Sequence, residues 1–361
     1  MQENALDLLQ KRGYIEWCSN PEELKAVFRD EMVTAYVGFD PTASSLHVGH
    51  LIPIMGLAWL QKLGHRPICI AGGGTGMIGD PSFKSKERVL LTLEAIEKNI
   101  EGVGKQLEHF MDFHGGPNSA IIVNNYTWLN SMTFLEFLRD VGKHFTINYM
   151  IAKEHVRSRL DDPEKSISFT EFSYSLLQAY DFYHLFKTYG CRLQMGGNDQ
   201  QGNIVSGIEL VRRKEGVEVF GGTNPLLLNS SGTKFGKTEE GAVWLDPDRT
   251  SPYRFYQFWI NTEDEQIEKL LKLFTFLDLE EIDEIVKAHF ISPEKRQAQK
   301  RLAWEVTSIV HGENAAKTAQ RASEILFGGS FDPSELDSSM LEALCGEVPY
   351  ADLASPVPLL L

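Results

Sequence analysis

Two short basic motifs carry side chains that could bind the triphosphate group of a nucleotide at both of its ends. One is His47-Val48-Gly49-His50, and the other is Lys234-Phe235-Gly236-Lys237-Thr238. The two histidines lie at a predicted helix start, where free backbone N–H groups and partial positive charge favour phosphate. Lysines on a loop rich in Ser, Gly and Thr can close over a departing pyrophosphate and stabilise charge in the transition state. Together, in this order, the motifs predict an enzyme that activates a carboxylate with ATP.

Each motif also has an ordinary explanation. A His-x-Gly-His sequence is equally typical of surface or metal-binding histidines, and a Lys-x-x-Lys loop is usually solvated surface. Between the two motifs, residues 72–82 include five glycines. This segment is either a simple strand-to-helix turn or a loop that places Asp80 to meet a cation such as a substrate ammonium. The basic residues that follow, Lys84, Lys86 and Arg88, form either a solvated face or a local positive cluster.

A predicted helix over residues 168–187 carries a narrow polar stripe. At about 100° per residue, Tyr174, Gln178 and Asp181 fall on one side, whereas the other faces are largely apolar. A helix that is apolar nearly all round is buried, and buried polar groups need partners. The stripe therefore faces either a ligand pocket, the favoured interpretation, or water. Asp199 follows a predicted strand and is either a ribose ligand or part of a plain turn.

The order of predicted elements indicates an α/β fold with a Rossmann-like parallel sheet that binds nucleotide. Four apolar segments are predicted strands: 33–39, 66–71, 120–124 and 191–195. Helical patterns lie between them: 47–63, 86–113 and 168–187. Strands that alternate with helices form parallel sheets, whose ligands bind beyond the carboxyl ends of the strands. Past about residue 252 the strand pattern stops, and charged helical segments predict a small all-α domain: 263–289, 293–312 and 313–327.

Composition restricts the classes of protein that this chain can be. Of its 361 residues, 42% are hydrophobic and 24% charged, as in ordinary globular proteins. A net charge of −15 disfavours a nucleic-acid partner, although a local basic patch can still bind RNA. The four cysteines show neither zinc-ligand spacing nor a disulfide framework, which indicates a reduced cytoplasm. The first residues lack a signal-peptide pattern, and the longest apolar stretch is too short to span a membrane.

Five ordered motifs carry a resemblance to a known family. The run from Tyr36 to His50, YVGFDPTASSLHVGH, resembles the HIGH region of bacterial-type tyrosyl-tRNA synthetases, which are class I aminoacyl-tRNA synthetases. The lysine motif at 234–238 resembles that family's KMSKS loop. Three shorter motifs match in order and spacing: Gly-Asp-Pro-Ser at 79–82, Leu-Gln-Ala-Tyr-Asp at 177–181 and Gly-Gly-x-Asp-Gln at 196–200. The resemblance covers nearly the whole chain.

The resemblance implies a tyrosine site and an ATP site. Tyr36 and Asp181 would bond the phenolic hydroxyl of the substrate. The other tyrosine contacts would be to its ammonium and carboxylate groups: Tyr174, Gln178 and Asp80 for the first, and Gln200 for the second. The nucleotide contacts would be Thr42 and His47 at the γ-phosphate, Asp40 at the α-phosphate, Gly49 against the nucleotide, and His50 and Asp199 at the ribose. The pyrophosphate clamp would be Lys84, Arg88, Lys234, Lys237 and Thr238.

The resemblance also implies partners and a domain order. The partners would be L-tyrosine, ATP with Mg²⁺ on its phosphates, and tRNA(Tyr), with no protein-bound metal and no membrane. The implied segments are a catalytic domain at 1–225, a linker with the lysine loop at 226–251, an anticodon-side helical domain at 252–327 and a tail at 328–361. Relatives usually continue into a small basic RNA-binding domain, so we expect this chain to form adenylate but to bind tRNA weakly.

A homodimer is implied through an insertion at about 126–165. Its apolar side chains are either interface or ordinary core: Phe134, Phe137, Leu138, Phe145, Tyr149 and Met150. Two residues depart from the family pattern. Gln201 stands where many relatives carry an apolar or aromatic residue, and Val37 replaces a polar or thiol side chain beside the ribose. We expect Gln201 to alter the pocket wall without changing the main roles, and we expect Val37 to leave one weak contact absent.

Three rival interpretations remain. Tryptophanyl-tRNA synthetases share the implied fold, but an indole needs a partner geometry different from the Tyr36 and Asp181 pair. Small nucleotidyltransferases share the His-x-Gly-His motif, but they are shorter and lack the paired lysines and the helical domain. A synthetase-derived RNA-binding or regulatory protein is disfavoured because every matched catalytic position is intact.

Overall fold

The chain forms two compact units that interleave in sequence. A computed structural model describes residues 3–80, 92–162, 166–228, 232–238, 241–328 and Met340. Unit 1 comprises Met1–Ala242 and Lys269–Leu279, and unit 2 comprises Val243–Glu268 and Glu280–Leu361. The lysine motif therefore belongs to unit 1, as does one short segment that follows the first part of unit 2.

Unit 1 is built on a six-stranded sheet. Its strands are β1 (Trp17–Cys18), β2 (Thr34–Phe39), β3 (Arg66–Ala71), β4 (Ile121–Asn124), β5 (Cys191–Gly197) and β6 (Phe220–Asn224). Their order is β1-β6-β5-β2-β3-β4, and every neighbouring pair is parallel except β1 with β6. The predicted mixed α/β class with a mostly parallel sheet is confirmed. Sequence patterns missed β1 and β6, because β1 has two residues and β6 contains two glycines.

The parallel order places the ends of five strands at one edge of the sheet. These ends are Phe39, Ala71, Asn124, Gly197 and Asn224. The central strand β2 lies between β3 and β5 and is almost wholly buried. Parallel strands covered on both faces are apolar along their length, and polar groups appear where the strands end. The edge is therefore where ligand-binding side chains can converge.

Helices cover the sheet of unit 1. Their bounds are Ala5–Arg12, Pro21–Asp30, Leu51–Lys62, Gly73–Gly76, Leu93–Leu107, Tyr126–Leu129, Phe134–Asp140, Ile147–Ile151, Glu154–Leu160, Phe169–Tyr189 and Gln201–Glu215. A short two-stranded ladder pairs Lys237–Thr238 with Gly241–Ala242. The helix expected over 86–113 is seen as Leu93–Leu107, and residues 81–91 lie outside the described part of the chain.

Helix Phe169–Tyr189 fixes the polar stripe against the sheet. It begins with a capping box, in which the Ser168 hydroxyl accepts from the Glu171 backbone N–H and the Glu171 carboxylate accepts from the Ser168 N–H. Such a box satisfies two otherwise unpaired donors at the helix start. Farther along, Phe182 and Leu185 are fully buried and pack into the core with the strands. The capped start and the buried face together set the rotation of the helix.

The main elements described in unit 2 are helices. Its helices are Pro252–Ile260, Leu279–Ile291, Gln297–His311 and Glu313–Gly328, the second of which begins with the last residue of unit 1. Helices Pro252–Ile260, Gln297–His311 and Glu313–Gly328 pack on one another. In the described residues of both units, no helix is both long and apolar enough to cross a bilayer.

The single helix predicted over residues 263–289 is wrong. Two helices, Ile267–Phe274 and Leu279–Ile291, are separated by residues 275–278. The Thr275 hydroxyl donates to the carbonyl of Leu271, and the Arg12 guanidinium donates to carbonyls at the break. Because side chains donate to these carbonyls, the carbonyls no longer need the backbone N–H groups of a continuing helix. The periodicity of the sequence carries no sign of these distant donors.

The insertion expected to form a dimer interface is divided between core and surface. Four of its predicted interface residues are buried or packed against the core instead: Phe145, Met150, Phe137 and Tyr149. The exposed apolar residues on the same segment are Phe134, Leu135, Leu138, Ile147 and Ile151. The structure thus places the first group in or against the core of this chain, whereas Leu135, Ile147 and Ile151, which were not among the predicted residues, are exposed.

Replacing Leu185 with Ala should lower the free energy of unfolding by about 2–5 kcal/mol, because it removes a fully buried side chain and leaves a cavity. Urea denaturation followed by circular dichroism measures this change. The exposed residue Thr188 on the same helix provides the control, since Thr188→Ala should change stability by less than about 0.5 kcal/mol. Equal effects of the two substitutions would contradict the described packing.

Candidate active site

A cavity of about 880 Å³ lies in unit 1 and is lined by the carboxyl ends of the central strands. It contains every predicted site residue whose side chain is described: Tyr36, Asp40, Thr42, His47, Gly49, His50, Asp80, Tyr174, Gln178, Asp181, Asp199, Gln200, Lys234 and Lys237. Lys84 and Arg88 lie outside the described residues, and Thr238 is described only by its backbone. The structure thus gathers segments that are up to about 200 residues apart in sequence.

At one end of the cavity a phenol and a carboxylate are buried together. Tyr36, on β2, is 1% exposed, and its hydroxyl has no hydrogen-bond partner among the described residues. Its ring packs edge-on against Phe182, with 5.3 Å between the ring centroids. Asp181, on the long helix, is 3% exposed. A buried hydroxyl without a partner is costly, so this end of the cavity is built to receive a polar group.

Two donors hold the Asp181 carboxylate in place. Asn125 Nδ2 donates to one oxygen at 2.9 Å, and Trp128 Nε1 donates to the other at 2.8 Å. Burial raises the pKa of Asp181 to about 7, even though both hydrogen bonds act to lower it. Near neutral pH the group can therefore exchange between carboxylate and acid. As a carboxylate, it can accept a proton donor that approaches from the cavity.

Sequence reasoning missed Asn125 and Trp128. Asn125 is completely buried, donates to the Thr75 hydroxyl at 2.9 Å, and accepts from the Gly74 N–H at 2.8 Å. Asn125 could have been identified in the sequence as a polar residue directly after β4, at the carboxyl end of a parallel strand. Trp128 stacks on His184, with 4.3 Å between the ring centroids. The direction in which its indole N–H points depends on tertiary packing, so no sequence pattern could have predicted it.

Amides and an acidic group line another part of the cavity. Gln178 Nε2 donates to Gln200 Oε1 at 3.2 Å, and Gln200 Nε2 donates to Asp80 Oδ2 at 2.6 Å. Tyr174 is buried beside them, and its pKa is raised well above the ordinary value by burial and then by the nearby carboxylates, of which Asp40 is the first. The nearby carboxylates and the other hydrogen-bond acceptors suit a primary ammonium group, which is positively charged and has three N–H donors.

His47 and His50 form a close pair of rings tilted by 35° to each other. Their centroids are 3.9 Å apart, and the motif is a short 3₁₀ turn, Val48–His50, ahead of helix Leu51–Lys62. The Nδ1 atom of His47 accepts from the Gly49 N–H, and the Nδ1 atom of His50 accepts from the His47 N–H, both at 3.1 Å. An accepting Nδ1 places the proton of the neutral ring on Nε2. Each ring thus carries an Nε2–H donor.

Burial and neighbouring charge keep both rings neutral. Burial, and secondly His47, lowers the pKa of His50 to about 3. Burial, and secondly the positive charge of Lys237, lowers the pKa of His47. The lysine motif therefore lies close enough to the histidine motif to act on it electrostatically. A neutral donor can bond a phosphate oxygen without first losing a proton.

The lysine motif packs directly on the histidine motif. Gly236 has a φ of 84°, and a side chain there would place Cβ 3.0 Å from the Cβ of Val48 and 3.3 Å from the backbone nitrogen of Gly49. Only glycine fits this close approach and this backbone conformation. The Phe235 N–H donates to the Leu227 carbonyl at 2.9 Å. These contacts place Lys234 and Lys237 at the cavity.

Asp199 and Val37 line the cavity, and Gln201 lies just outside its lining. Asp199 is exposed in the turn after β5, and a side chain at Gly197 would lie 2.5 Å from its Oδ1 atom. Val37 is buried and lines the cavity, whereas Gln201 begins the next helix. In the described part of the chain, no group of three or more His, Cys, Asp or Glu side chains is placed to hold a metal ion.

This fold and site define the class of protein. The chain belongs to the class I tRNA synthetases for tryptophan and tyrosine, whose family model matches residues 29–328. The tyrosine–tRNA ligase of Anaeromyxobacter dehalogenans is 54% identical over 349 residues, which cover 97% of this chain and 81% of that protein. The tyrosine–tRNA ligase of Geobacillus stearothermophilus is 50% identical over 353 residues, which cover 97% and 83%.

Solved structures agree with this assignment. A C-terminally truncated mitochondrial tyrosyl-tRNA synthetase from Aspergillus nidulans matches with a TM-score of 0.82 and 32% identity, covering 90% of this chain and 94% of that one. A tryptophanyl-tRNA synthetase from Encephalitozoon cuniculi matches with a TM-score of 0.60 and 14% identity over 93% and 90% of the two chains, which is a likeness of fold alone.

Replacing Asn125 with Ala should raise the pKa of Asp181 above about 7, because a hydrogen bond that favours the carboxylate is lost. Carbon-13 NMR of the labelled aspartate side chains, followed through a pH titration of the free protein, measures this value. Asn130→Ala, at an exposed position of the same segment, is the control and should leave it unchanged. A lower or unaltered pKa in the Asn125 variant would contradict the described contact.

Proposed function

We propose that this chain is a tyrosine–tRNA ligase that works in the cytoplasm. It activates L-tyrosine with ATP to form tyrosyl-adenylate and pyrophosphate, and it then transfers the tyrosyl group to the 3′-terminal ribose of tRNA(Tyr). The observation that carries this proposal is the buried pair of Tyr36 and Asp181. The Tyr36 hydroxyl has no partner in the described part of the chain, and two donors hold the Asp181 carboxylate in place.

A phenol satisfies both groups at once. Its hydroxyl donates to the Asp181 carboxylate and accepts from the Tyr36 hydroxyl, so that the phenol bonds to both buried groups. Phenylalanine would fill the same space, but it would offer no acceptor to the Tyr36 hydroxyl and no donor to the Asp181 carboxylate. Leaving a buried polar group unsatisfied costs about 1–3 kcal/mol, and more for a charged group. The single indole N–H of tryptophan could donate to Asp181 but has no lone pair to accept from Tyr36.

The other end of the amino acid lies among the acidic and amide side chains. The ammonium group binds Asp80, Tyr174 and Gln178, and Gln200 lies beside the carboxylate. The hydrogen bonds from Gln178 to Gln200 and from Gln200 to Asp80 support this arrangement, because they hold the acceptors together before substrate arrives. A site ordered in advance loses less entropy on binding and holds the reacting carboxylate in position.

The first reaction is an in-line displacement at the α-phosphorus of MgATP. A carboxylate oxygen of tyrosine forms the new bond to phosphorus, and the bond to the bridging oxygen of pyrophosphate breaks with its electron pair on pyrophosphate. The Nε2–H groups of His47 and His50 and the charges of Lys234 and Lys237 stabilise the negative charge that develops on the phosphates. No side chain forms a covalent intermediate, so the catalysis is positioning and electrostatic stabilisation.

The remaining nucleotide contacts follow the same arrangement. Asp40 lies by the α-phosphate, Thr42 by the γ-phosphate, Gly49 against the nucleotide, and Asp199 at the ribose. In the second reaction, the terminal ribose hydroxyl of the tRNA attacks the carbonyl carbon of the adenylate. The hydroxyl loses its proton, and AMP leaves with the electron pair of the broken bond. Lys84, Arg88 and Thr238 complete the pyrophosphate clamp in this proposal.

The proposal includes a homodimer formed through the exposed apolar face of the insertion. Phe134 is 63% exposed and Leu135 is 76% exposed, and both lie on one helix, Phe134–Asp140. Leu138 and Ile147 extend the exposed apolar surface. Apolar side chains at this exposure favour association with a second copy, because their contact with water is unfavourable.

Replacing Tyr36 with Phe should raise the KM for tyrosine by about 10-fold, because the phenol of the substrate loses one hydrogen-bond donor. The KM for ATP should stay the same, since Tyr36 lies away from the phosphate-binding motifs. Tyrosine-dependent exchange of pyrophosphate into ATP gives both values. An unchanged preference for tyrosine over phenylalanine in this variant would contradict the assigned role of the pair. Tyr189→Phe, which removes a hydroxyl from a tyrosine outside the cavity lining, is the matched control and should leave both KM values unchanged.

Replacing Leu135 with Asp should shift the protein from dimer to monomer, because a charge at the interface has no partner and must be desolvated. Sedimentation velocity at micromolar protein measures the change. Glu136→Gln on the same helix serves as the control and should leave the dimer intact. A wild-type protein that is already monomeric at this concentration would refute the proposed interface.

A further inference from the structure

Arg12 is a buried cation whose two Nη atoms donate to backbone carbonyls. It is the last residue of helix Ala5–Arg12 and is 2% exposed. Its Nη1 atom donates to the carbonyls of Lys272 at 3.2 Å and Thr275 at 3.4 Å, and its Nη2 atom donates to the carbonyl of Leu277. Its guanidinium also lies over the ring of Trp59, 3.8 Å from the centroid. Burying an arginine is expensive, so its position in this fold calls for a functional reason.

Tyr14 acts on the same segment. It is fully buried, and its hydroxyl donates to the carbonyl of Leu273 at 2.6 Å. Arg12 and Tyr14 thus bind four carbonyls within residues 272–277, where helix Ile267–Phe274 ends. The last carbonyls of a helix have no partner inside it, and a cation is favourable at this negative end. The two side chains therefore fix both the end of this helix and the path of the chain after it.

The fixed segment carries a wall of the cavity. Phe274 lies between the carbonyls that Arg12 and Tyr14 bind, and it lines the cavity. Its ring stacks on Phe235 of the lysine motif, with 5.9 Å between the centroids and 16° between the ring planes. Phe235 directly follows Lys234 in the chain. One continuous series of contacts therefore joins the buried guanidinium to the lysine motif.

We propose that Arg12 is a positioning residue for adenylate formation, assisted by Tyr14. By holding residues 272–277, it fixes Phe274 as the surface on which Phe235 stacks, and so places Lys234 and Lys237 over the phosphates of ATP. This inference rests on the proposed function of the site. It assigns a role in the ATP half of the reaction to a residue that touches neither substrate.

The test begins with Arg12→Met, which keeps much of the side-chain volume and removes every donor. The rate of tyrosine-dependent pyrophosphate exchange should fall by about 10-fold, and the KM for ATP should rise. The rate is expressed per active site, and active sites are counted by titrating the bound tyrosyl-adenylate. The KM for tyrosine should not change, because Tyr36 and Asp181 bind the phenol independently of this segment. Arg12→Lys, which restores a cation with donors, should recover part of the loss.

Two further variants separate positioning from general destabilisation. Tyr14→Phe keeps the ring and removes one carbonyl contact, so it should change the KM for ATP in the same direction by a smaller factor, and it serves if Arg12→Met does not fold. Arg29→Met alters an exposed arginine that pairs only with the adjacent Asp30 in the described contacts, and it should have no effect. Phe235→Leu should directly weaken the contact between residue 235 of the lysine motif and the ring of Phe274.

Combining Arg12→Met with Phe235→Leu decides the question. If Arg12 acts through the Phe274 and Phe235 contact, the double variant should be little worse than the more impaired single variant. Fully additive losses, an unchanged KM for ATP, or an equal rise in the KM for tyrosine would each overturn the inference. Wild-type protein without tyrosine-dependent exchange would instead overturn the proposed function, so the two failures are distinguishable.

Discussion

The rest of the site depends on one buried carboxylate. Asp181 remains inside the protein only because Asn125 and Trp128 each bind one of its oxygens. Burial still raises its pKa to about 7. The loss of solvation, which disfavours the carboxylate, is therefore nearly balanced at neutral pH by the two hydrogen bonds, which favour it. A group in this balance binds an incoming donor strongly, since water competes poorly for it. The Tyr36 hydroxyl beside it has no partner among the described residues, and this is the basis on which we propose that the pair selects a phenol.

The fold supplies this arrangement by bringing strand ends and helix faces to one edge. Asn125 follows β4, Tyr36 lies on β2, and Asp181 projects from the capped helix Phe169–Tyr189. The histidine and lysine motifs are joined differently, because they pack on each other at Gly236. The Tyr36 and Asp181 pair is buried, whereas the lysine motif is held by a glycine contact and an aromatic stack. This difference suits the loop role that we propose, in which the lysines act on a nucleotide and then release pyrophosphate.

Much of the site could be predicted from the sequence because its residues follow strands or share one helix face. Tyr174, Gln178 and Asp181 were recognisable from periodicity alone, and the central strands from their continuous apolar runs. Asn125, Trp128 and Arg12 escaped prediction because their roles depend on the direction of a side chain toward a partner distant in sequence. The break after Phe274 escaped for the same reason, since its donors come from residues 12 and 14. The insertion shows a further limit: apolar pattern alone did not separate the buried Phe145 from the exposed Leu135.

The measurement that tests the account most directly is amino-acid-dependent exchange of pyrophosphate into ATP, without tRNA, by the wild-type protein. Tyrosine, tryptophan and phenylalanine are compared at equal concentration. The account predicts exchange with tyrosine and little or none with the other two, because only a phenol pairs with both buried groups. Exchange that is as fast with tryptophan or phenylalanine, or absent with all three amino acids, would contradict it.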